Sequence, residues 1–166
     1  MKDTLIIGTL CALAVIAGAW LYFSEAGGPI SPEAAYGPVA FTPLLKGEDV
    51  SAITERKNFR LKSREELEQF WRMLYANGGP LIPSVNFDTH EVLAIFDGSH
   101  SSGGYEVSLV SIEDSETLRT VVIRHSIPGD SCVTASAIMS PFLIVQVPRS
   151  GLPIKRIDED EVRECE

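Results

Sequence analysis

The sequence predicts an α+β domain, a mainly antiparallel β-sheet packed with one amphipathic helix, preceded by an N-terminal transmembrane helix. Three observations carry this prediction. Leu5 to Phe23 is an uninterrupted run without a charge. Residues 63–74 repeat apolar side chains at helical spacing. Beyond them, short runs rich in β-branched and aromatic residues alternate with Gly, Pro, Ser and Asp turns, and strands following one early helix argue for an α+β arrangement.

The apolar run at the front, at 1.5 Å per residue, spans roughly 28 Å, close to a bilayer core of about 30 Å. It has no polar stripe of the kind a buried core helix shows. Trp20, Tyr22 and Phe23 at its outer end resemble an interfacial aromatic belt. Residues 1–23 therefore read as a transmembrane anchor or uncleaved signal. Small residues at Ala17-Gly18-Ala19 and Ser24-Glu25-Ala26 leave cleavage as the alternative. Lys2 precedes the run and no Lys or Arg follows before Lys46, which places the remainder outside the membrane, in single-pass topology.

Residues 24–40 form a Pro/Gly-rich linker, residues 41–154 the folded domain and residues 155–166 an acidic tail. The net charge is −9, and because Lys2 and Asp3 cancel, the part beyond the membrane carries the same charge. No basic stripe is present to neutralise phosphates, which excludes nucleic acid as a partner class.

Within the domain, Phe41–Leu45 and Val50–Leu61 each supply a strand, the second polar and therefore an edge. Glu55, Arg56, Lys57 and Arg60 on it read as a solvated face. Ser63 and Glu66 have the spacing of a reciprocal capping box, and Leu67, Phe70, Trp71 and Leu74 follow at i, i+3, i+4, i+7. Asn77-Gly78-Gly79-Pro80 ends this helix. Val92 to Phe96 is continuously apolar, as in a strand covered on both faces. Asp97 to Gly104 is a polar turn in which glycine permits positive φ and the strands reverse. Tyr105, Val107 and Leu109 then alternate with Glu106 and Ser108, a half-buried strand blurred by Val110. Leu118–His125 and Phe142–Val147 complete the sheet, and the tail is solvated.

Candidate chemistry is sparse. Cys132 and Cys165 would share an oxidising compartment, and the sequence leaves open whether they form a disulfide. His90, His100 and His125 match no compact metal spacing, so no metal and no cofactor is indicated. His125 ends a strand, where exposure is expected. Ser99, Ser101 and Ser102 are a serine-rich turn without the flanking pattern of a positioned nucleophile. No catalytic residue is assigned.

The turn Ser102-Gly103-Gly104-Tyr105, the Phe70-Trp71 pair, Asn86-Phe87-Asp88, and Ser140-Pro141-Phe142 resemble, in order and spacing, the PrcB C-terminal domain family over roughly Phe59 to Arg149. That family is named for a bacterial protease-complex subunit that associates with and stabilises its protease. Ser102 and Phe142 stand where the family often has Thr and Tyr. The resemblance implies a protein-binding module of the bacterial cell envelope and not an enzyme. It would be anchored in the cell membrane with its C-terminal domain extracytoplasmic, periplasmic or extracellular. Its partner would be another envelope protein, a protease among the expectations, met by Ser99, His100, Ser102, Gly103, Gly104 and Tyr105. The alternative is a small extracytoplasmic hydrolase or ligand-binding domain using the Asp97–Tyr105 turn. A pocket between helix and sheet would serve the ligand.

Overall fold

The computed structural model describes residues 36–48, 52–76 and 78–165. Leu5–Phe23 and the linker up to residue 35 lie outside them. Among the described residues no helix is long and apolar enough to cross a membrane. The elements are β1 (Gly37–Pro38), β2 (Thr42–Gly47), β3 (Lys57–Leu61), α1 (Arg64–Leu74), β4 (His90–Phe96), β5 (Glu106–Asp114), β6 (Arg119–Pro128), β7 (Phe142–Pro148) and β8 (Ile154–Arg163).

Helix α1 begins as its sequence dictates. Ser63 Oγ accepts the Glu66 N–H at 3.2 Å. The return arm is displaced by one residue, since the Glu66 carboxylate accepts from the Lys62 N–H at 2.6 Å and not from the cap residue itself. Leu67, Phe70, Trp71 and Leu74 are buried, and Trp71 Nε1–H donates to the Pro80 carbonyl at 2.8 Å. The indole thereby fixes the return of the chain after the helix.

The strands form two four-stranded sheets, β2-β7-β4-β3 and β1-β5-β6-β8. Two apolar clusters separate three layers. Val92, Ala94, Phe96, Phe142 and Ile144 pack with the buried face of α1. Leu93, Ile95, Leu143, Val145 and Val147 pack with Val107, Leu109, Ile112, Val121 and Ile123 of the other sheet. Strands β4 and β7 are thus the centre of the middle layer, and burial on both faces explains their near-continuous apolar runs. Val92, Leu93, Ile95 and Phe96 of β4, each contributing on the order of 1.5–3 kcal/mol when buried, make this strand the spine of the domain.

Four features depart from the sequence expectation. The strands flanking the polar turn do not pair with each other, because the turn carries the chain from one sheet to the other. Gly98 and Gly104 adopt φ of 87° and 92°, but Gly103 has no positive φ. Residues 37–38, assigned to the linker, pair with Asp114 and Glu113 of β5. The acidic tail is, over Ile154–Arg163, a ten-residue strand running parallel to β6. Hydrophobic patterning is blind to it because every residue after Ile154 is exposed, and main-chain pairing to β6 holds it in place.

Strand β5 carries a register shift between Leu109 and Ser111. The extra residue lets Ile112 return to the core face while Val110 stays 42% exposed. That bulge is the blurred alternation seen in the sequence.

Candidate functional site

The Asp97–Tyr105 turn is held from three sides. The Asp97 N–H donates to the Pro141 carbonyl at 3.0 Å, the Ser99 N–H to the Thr54 carbonyl at 3.0 Å, and His100 and Met139 exchange backbone bonds of 2.8 and 3.0 Å. Gly98 is required for more than its φ. A Cβ there would lie 3.0 Å from the Arg56 nitrogen and the Thr54 oxygen, backbone atoms that cannot step aside. The glycine therefore lets residues 54–56 lie against the turn.

Beneath the turn lies a network of ionisable groups. The Asp97 side chain is 1% exposed. Its Oδ2 meets His100 Nε2 at 2.8 Å, and its Oδ1 meets Arg56 Nε at 3.1 Å and Arg56 Nη2 at 3.0 Å. His125, also 1% exposed, places Nδ1 2.5 Å from Asp97 Oδ1 and Nε2 3.0 Å from Asp158 Oδ1. The Nδ1 contact is an ion-pair approach in which the ring N–H is not aimed at that oxygen, so it satisfies charge better than it satisfies direction. Arg56 Nη1 continues to Asp160 at 3.2 Å. The His100 ring stacks on Tyr105 with centroids 3.7 Å apart and 8° between planes.

Burial works to lower the His125 pKa, but its close contacts with the Asp97 and Asp158 carboxylates outweigh that and hold it above the ordinary 6.5. Burial works to raise the Asp97 pKa, yet the bonds from His125 and His100, with the charges of His125 and Arg56, leave it below the usual 3.8. The cluster thus favours the ion pair on both sides.

Arg56, expected on a solvated face, reaches inward because a long guanidinium stem can bury its length while forking onto a carboxylate. His125, expected to be exposed, is buried because β8 covers the end of β6. Asp158, expected in a solvated tail, is the group that meets it. Of the six residues expected to meet a partner, Ser99 and Gly104 are exposed, and His100, Ser102 and Tyr105 are half-buried. Gly103 is buried, with its N–H given to the Ala135 carbonyl at 2.9 Å. It supports the turn from below.

Next to the turn runs the loop between β6 and β7, and it holds the most exposed apolar side chains nearby. Val133 is 102% exposed and Ile138 79%. Cys132 is joined to Cys165 with an Sγ–Sγ distance of 1.99 Å, which ties this loop to the end of β8. A cavity of about 310 Å³ opens between turn and loop, lined in part by Gly103, Gly104, Pro128, Val133, Thr134 and Met139. The turn and the loop form one platform through the His100–Met139 and Gly103–Ala135 backbone bonds.

At the opposite end of β4 a second network is sealed in the core. Glu91, 0% exposed, accepts from Arg60 Nε and Nη2 at 2.8 Å each and from Arg119 Nη1 at 3.1 Å. Arg119, 1% exposed, also forks onto Asp114 with two bonds of 2.7 Å. Arg60 and Arg119 spend further donors on the Leu152 and Pro148 carbonyls. Arg60, like Arg56, was expected on a solvated face and instead neutralises a buried carboxylate.

For chemistry, both Asp97 oxygens are engaged, His125 meets carboxylates through both ring nitrogens, and His100 meets Asp97 through Nε2. Ser99 Oγ pairs with Ser140 Oγ at 2.8 Å, away from either ring. Among the described residues no group of His, Cys, Asp and Glu is arranged to hold a metal ion. An apolar slot of about 260 Å³ lies between the two sheets, against Leu93, Ile95, Val121, Ile123 and Ile154, and not between helix and sheet.

Residues 92–148 match the model of the PrcB C-terminal family. The match runs from β4 to β7 and includes both the turn and the apolar loop, in agreement with the resemblance read from the sequence. No curated protein and no solved structure matches the chain.

Proposed function

We propose that this chain is a membrane-anchored, extracytoplasmic binding module that associates with or stabilises another envelope protein and has no reaction of its own. The PrcB C-terminal match makes a protease complex the partner class to test first. The observation that carries the reading is the platform of turn and loop, where Val133 and Ile138 stand in water on a segment that backbone bonds and a disulfide hold in place. Exposed apolar side chains that share one ordered surface can form a face that meets another protein. Pre-organisation adds to this, because a loop that is already ordered loses less entropy on binding.

The extracytoplasmic location is supported by the uncharged run Leu5–Phe23 and by the Cys132–Cys165 bridge, since such bridges persist in oxidising compartments. A binding role is supported over catalysis by the Ser99 hydroxyl of the turn, which pairs with the Ser140 hydroxyl and not with His100 or His125.

The test is capture of the tagged, full-length chain from its native membrane after mild crosslinking, with a Val133→Asp/Ile138→Asp variant alongside. A stoichiometric envelope protein, lost in the variant while its thermal midpoint is unchanged, is the expected result. Equal recovery with both chains, or none with either, overturns the platform as a docking face.

A further inference from the structure

Strand β8 closes one side of its sheet, and its outer edge has no neighbour among the described strands. The outward side of a ten-residue edge strand is a template for a further strand, and charges on such an edge normally keep strands away. Here the charges are sorted by sign. Lys155 and Arg156 precede Ile157, and Asp158, Glu159, Asp160 and Glu161 follow it. A generic strand meets a charged edge; a reversed copy of the same strand meets its complement.

We propose that β8 pairs with β8 of a second copy, antiparallel and in register about Ile157, joining the two outer sheets into one across a two-fold axis. Such an axis perpendicular to a sheet sets one residue opposite itself and preserves the face on which each side chain lies. With Ile157 on the axis, Arg156 of one copy lies opposite Asp158 of the other, and Lys155 opposite Glu159. Each pairing occurs twice, and no like charges oppose. Moving the axis by one residue sets Arg156 against Arg156 or Asp158 against Asp158. The charge order therefore specifies a register as well as a partner.

The fold presents these residues suitably. Val121 and Ile123 point into the core between the sheets, and Arg156 and Asp158 are their register partners, so both point to that side. Lys155, Ile157 and Glu159 point to the outer face. Ile157 is 39% exposed, an apolar side chain in the middle of a charged strand. Lys155 has no partner within its own chain among the described residues. Arg156 has Asp158 through Nε, at 2.8 Å, and Glu159 has only a 3.5 Å approach from Arg124. One strand pair is a small interface, and it makes a reversible dimer.

The experiment is sedimentation of the full-length chain in detergent across a concentration series, with charge reversals on β8. Cross-strand pairs contribute about 0.2–1 kcal/mol each and like charges oppose, so Lys155→Glu is expected to weaken dimerisation roughly tenfold. Lys155→Glu combined with Glu159→Lys restores the complement and is expected to restore the dimer. Ile157→Cys is expected to crosslink two copies on oxidation, whereas Val162→Cys, at 61% exposure against 39% for Ile157 but off the axis, is not. A monomer at every concentration, a dimer indifferent to Lys155→Glu, a double reversal that fails to recover, or equal crosslinking at 157 and 162 overturns the proposal. None of these outcomes bears on the platform at residues 99–139, so the two readings fail separately.

Discussion

The two ends of β4 bury charge in two different ways. At its start, Glu91 sits with Arg60, Arg119 and Asp114, two guanidinium groups against two carboxylates. At its finish, Asp97 sits with Arg56, His100 and His125, and the chain of contacts continues to Asp158 and Asp160. Arginine keeps its charge under all working conditions, whereas histidine changes its charge close to neutrality. The first network is a fixed lock between the sheets. The second holds the same two sheets with a charge that pH can remove, and it lies directly under the surface proposed to meet a partner. Each network has a buried pair at its centre, Glu91 with Arg119 and Asp97 with His125, but the first reaches only 18% side-chain exposure at Arg60, whereas the second runs out to 33% at Arg56 and 57% at Asp160.

The sharpest way to break the comparison is Glu91→Ala. It removes the only carboxylate that Arg60 meets among the described residues and one of the two that Arg119 meets, and loss of one partner of a buried pair typically costs about 3–5 kcal/mol. Chemical denaturation is expected to show that loss at pH 6 and pH 8 alike. A loss below about 1 kcal/mol would mean that Asp114 alone satisfies Arg119.

The second network is expected to respond to pH. The folded-state pKa of His125 is raised, so its contribution is complete below the unfolded value near 6.5 and is lost as pH rises through the folded value above it. Asp97 has the opposite sign: its contribution is present above the ordinary carboxylate value and is lost on acidification through the lowered one. Stability should therefore decline on the alkaline side of neutrality, and His125→Gln should abolish that limb. A hydrogen bond to a charged group contributes about 1.5–3 kcal/mol, which sets the scale for the loss of the His125–Asp158 bond. Identical alkaline limbs for both proteins would assign the decline elsewhere.

His100→Ala is the smallest perturbation. It removes one of three groups on Asp97 and the stack on Tyr105, and about 1 kcal/mol is expected from one partly exposed hydrogen bond. Its larger effect should fall on the turn, read as faster amide exchange at Ser99 to Tyr105 with β4 unchanged. Exchange that rises equally in β4 would show that the turn and the spine open as one unit.

Much of the fold was legible. The helix is announced by Ser63, Glu66 and the Leu67–Leu74 stripe, and β4 and β7 by runs too apolar to have an exposed face. Both buried networks were harder to see. Nothing in the sequence near Arg56 or Arg60 distinguishes an inward arginine from a solvated one, because the carboxylates they meet lie 41 and 31 residues away. One signal was available: Glu91 opens a strand read as covered on both faces, and a carboxylate there needs a cation. Asp158 gave no such signal. Its strand is exposed almost throughout, so periodicity does not reveal it, and only pairing with β6 sets the residue against His125. The apolar loop was hidden for a related reason, since Val133 and Ile138 are isolated among small polar residues and only their exposure in the fold makes them a surface.

The parallel placement of β8 beside β6 has a consequence for how the chain is made. Between the two strands the polypeptide must leave the outer sheet, lay β7 into the middle one and return. Until residues 154–163 are laid down, β6 has an open edge and His125 has only one of its two carboxylates. The outer sheet is completed after the spine, and Cys165 reaches Cys132 later still. A folding chain in which the inner core forms before β8 docks thus passes through a stage with its rim unsealed, when the open edge of β6 is exposed to unwanted pairing.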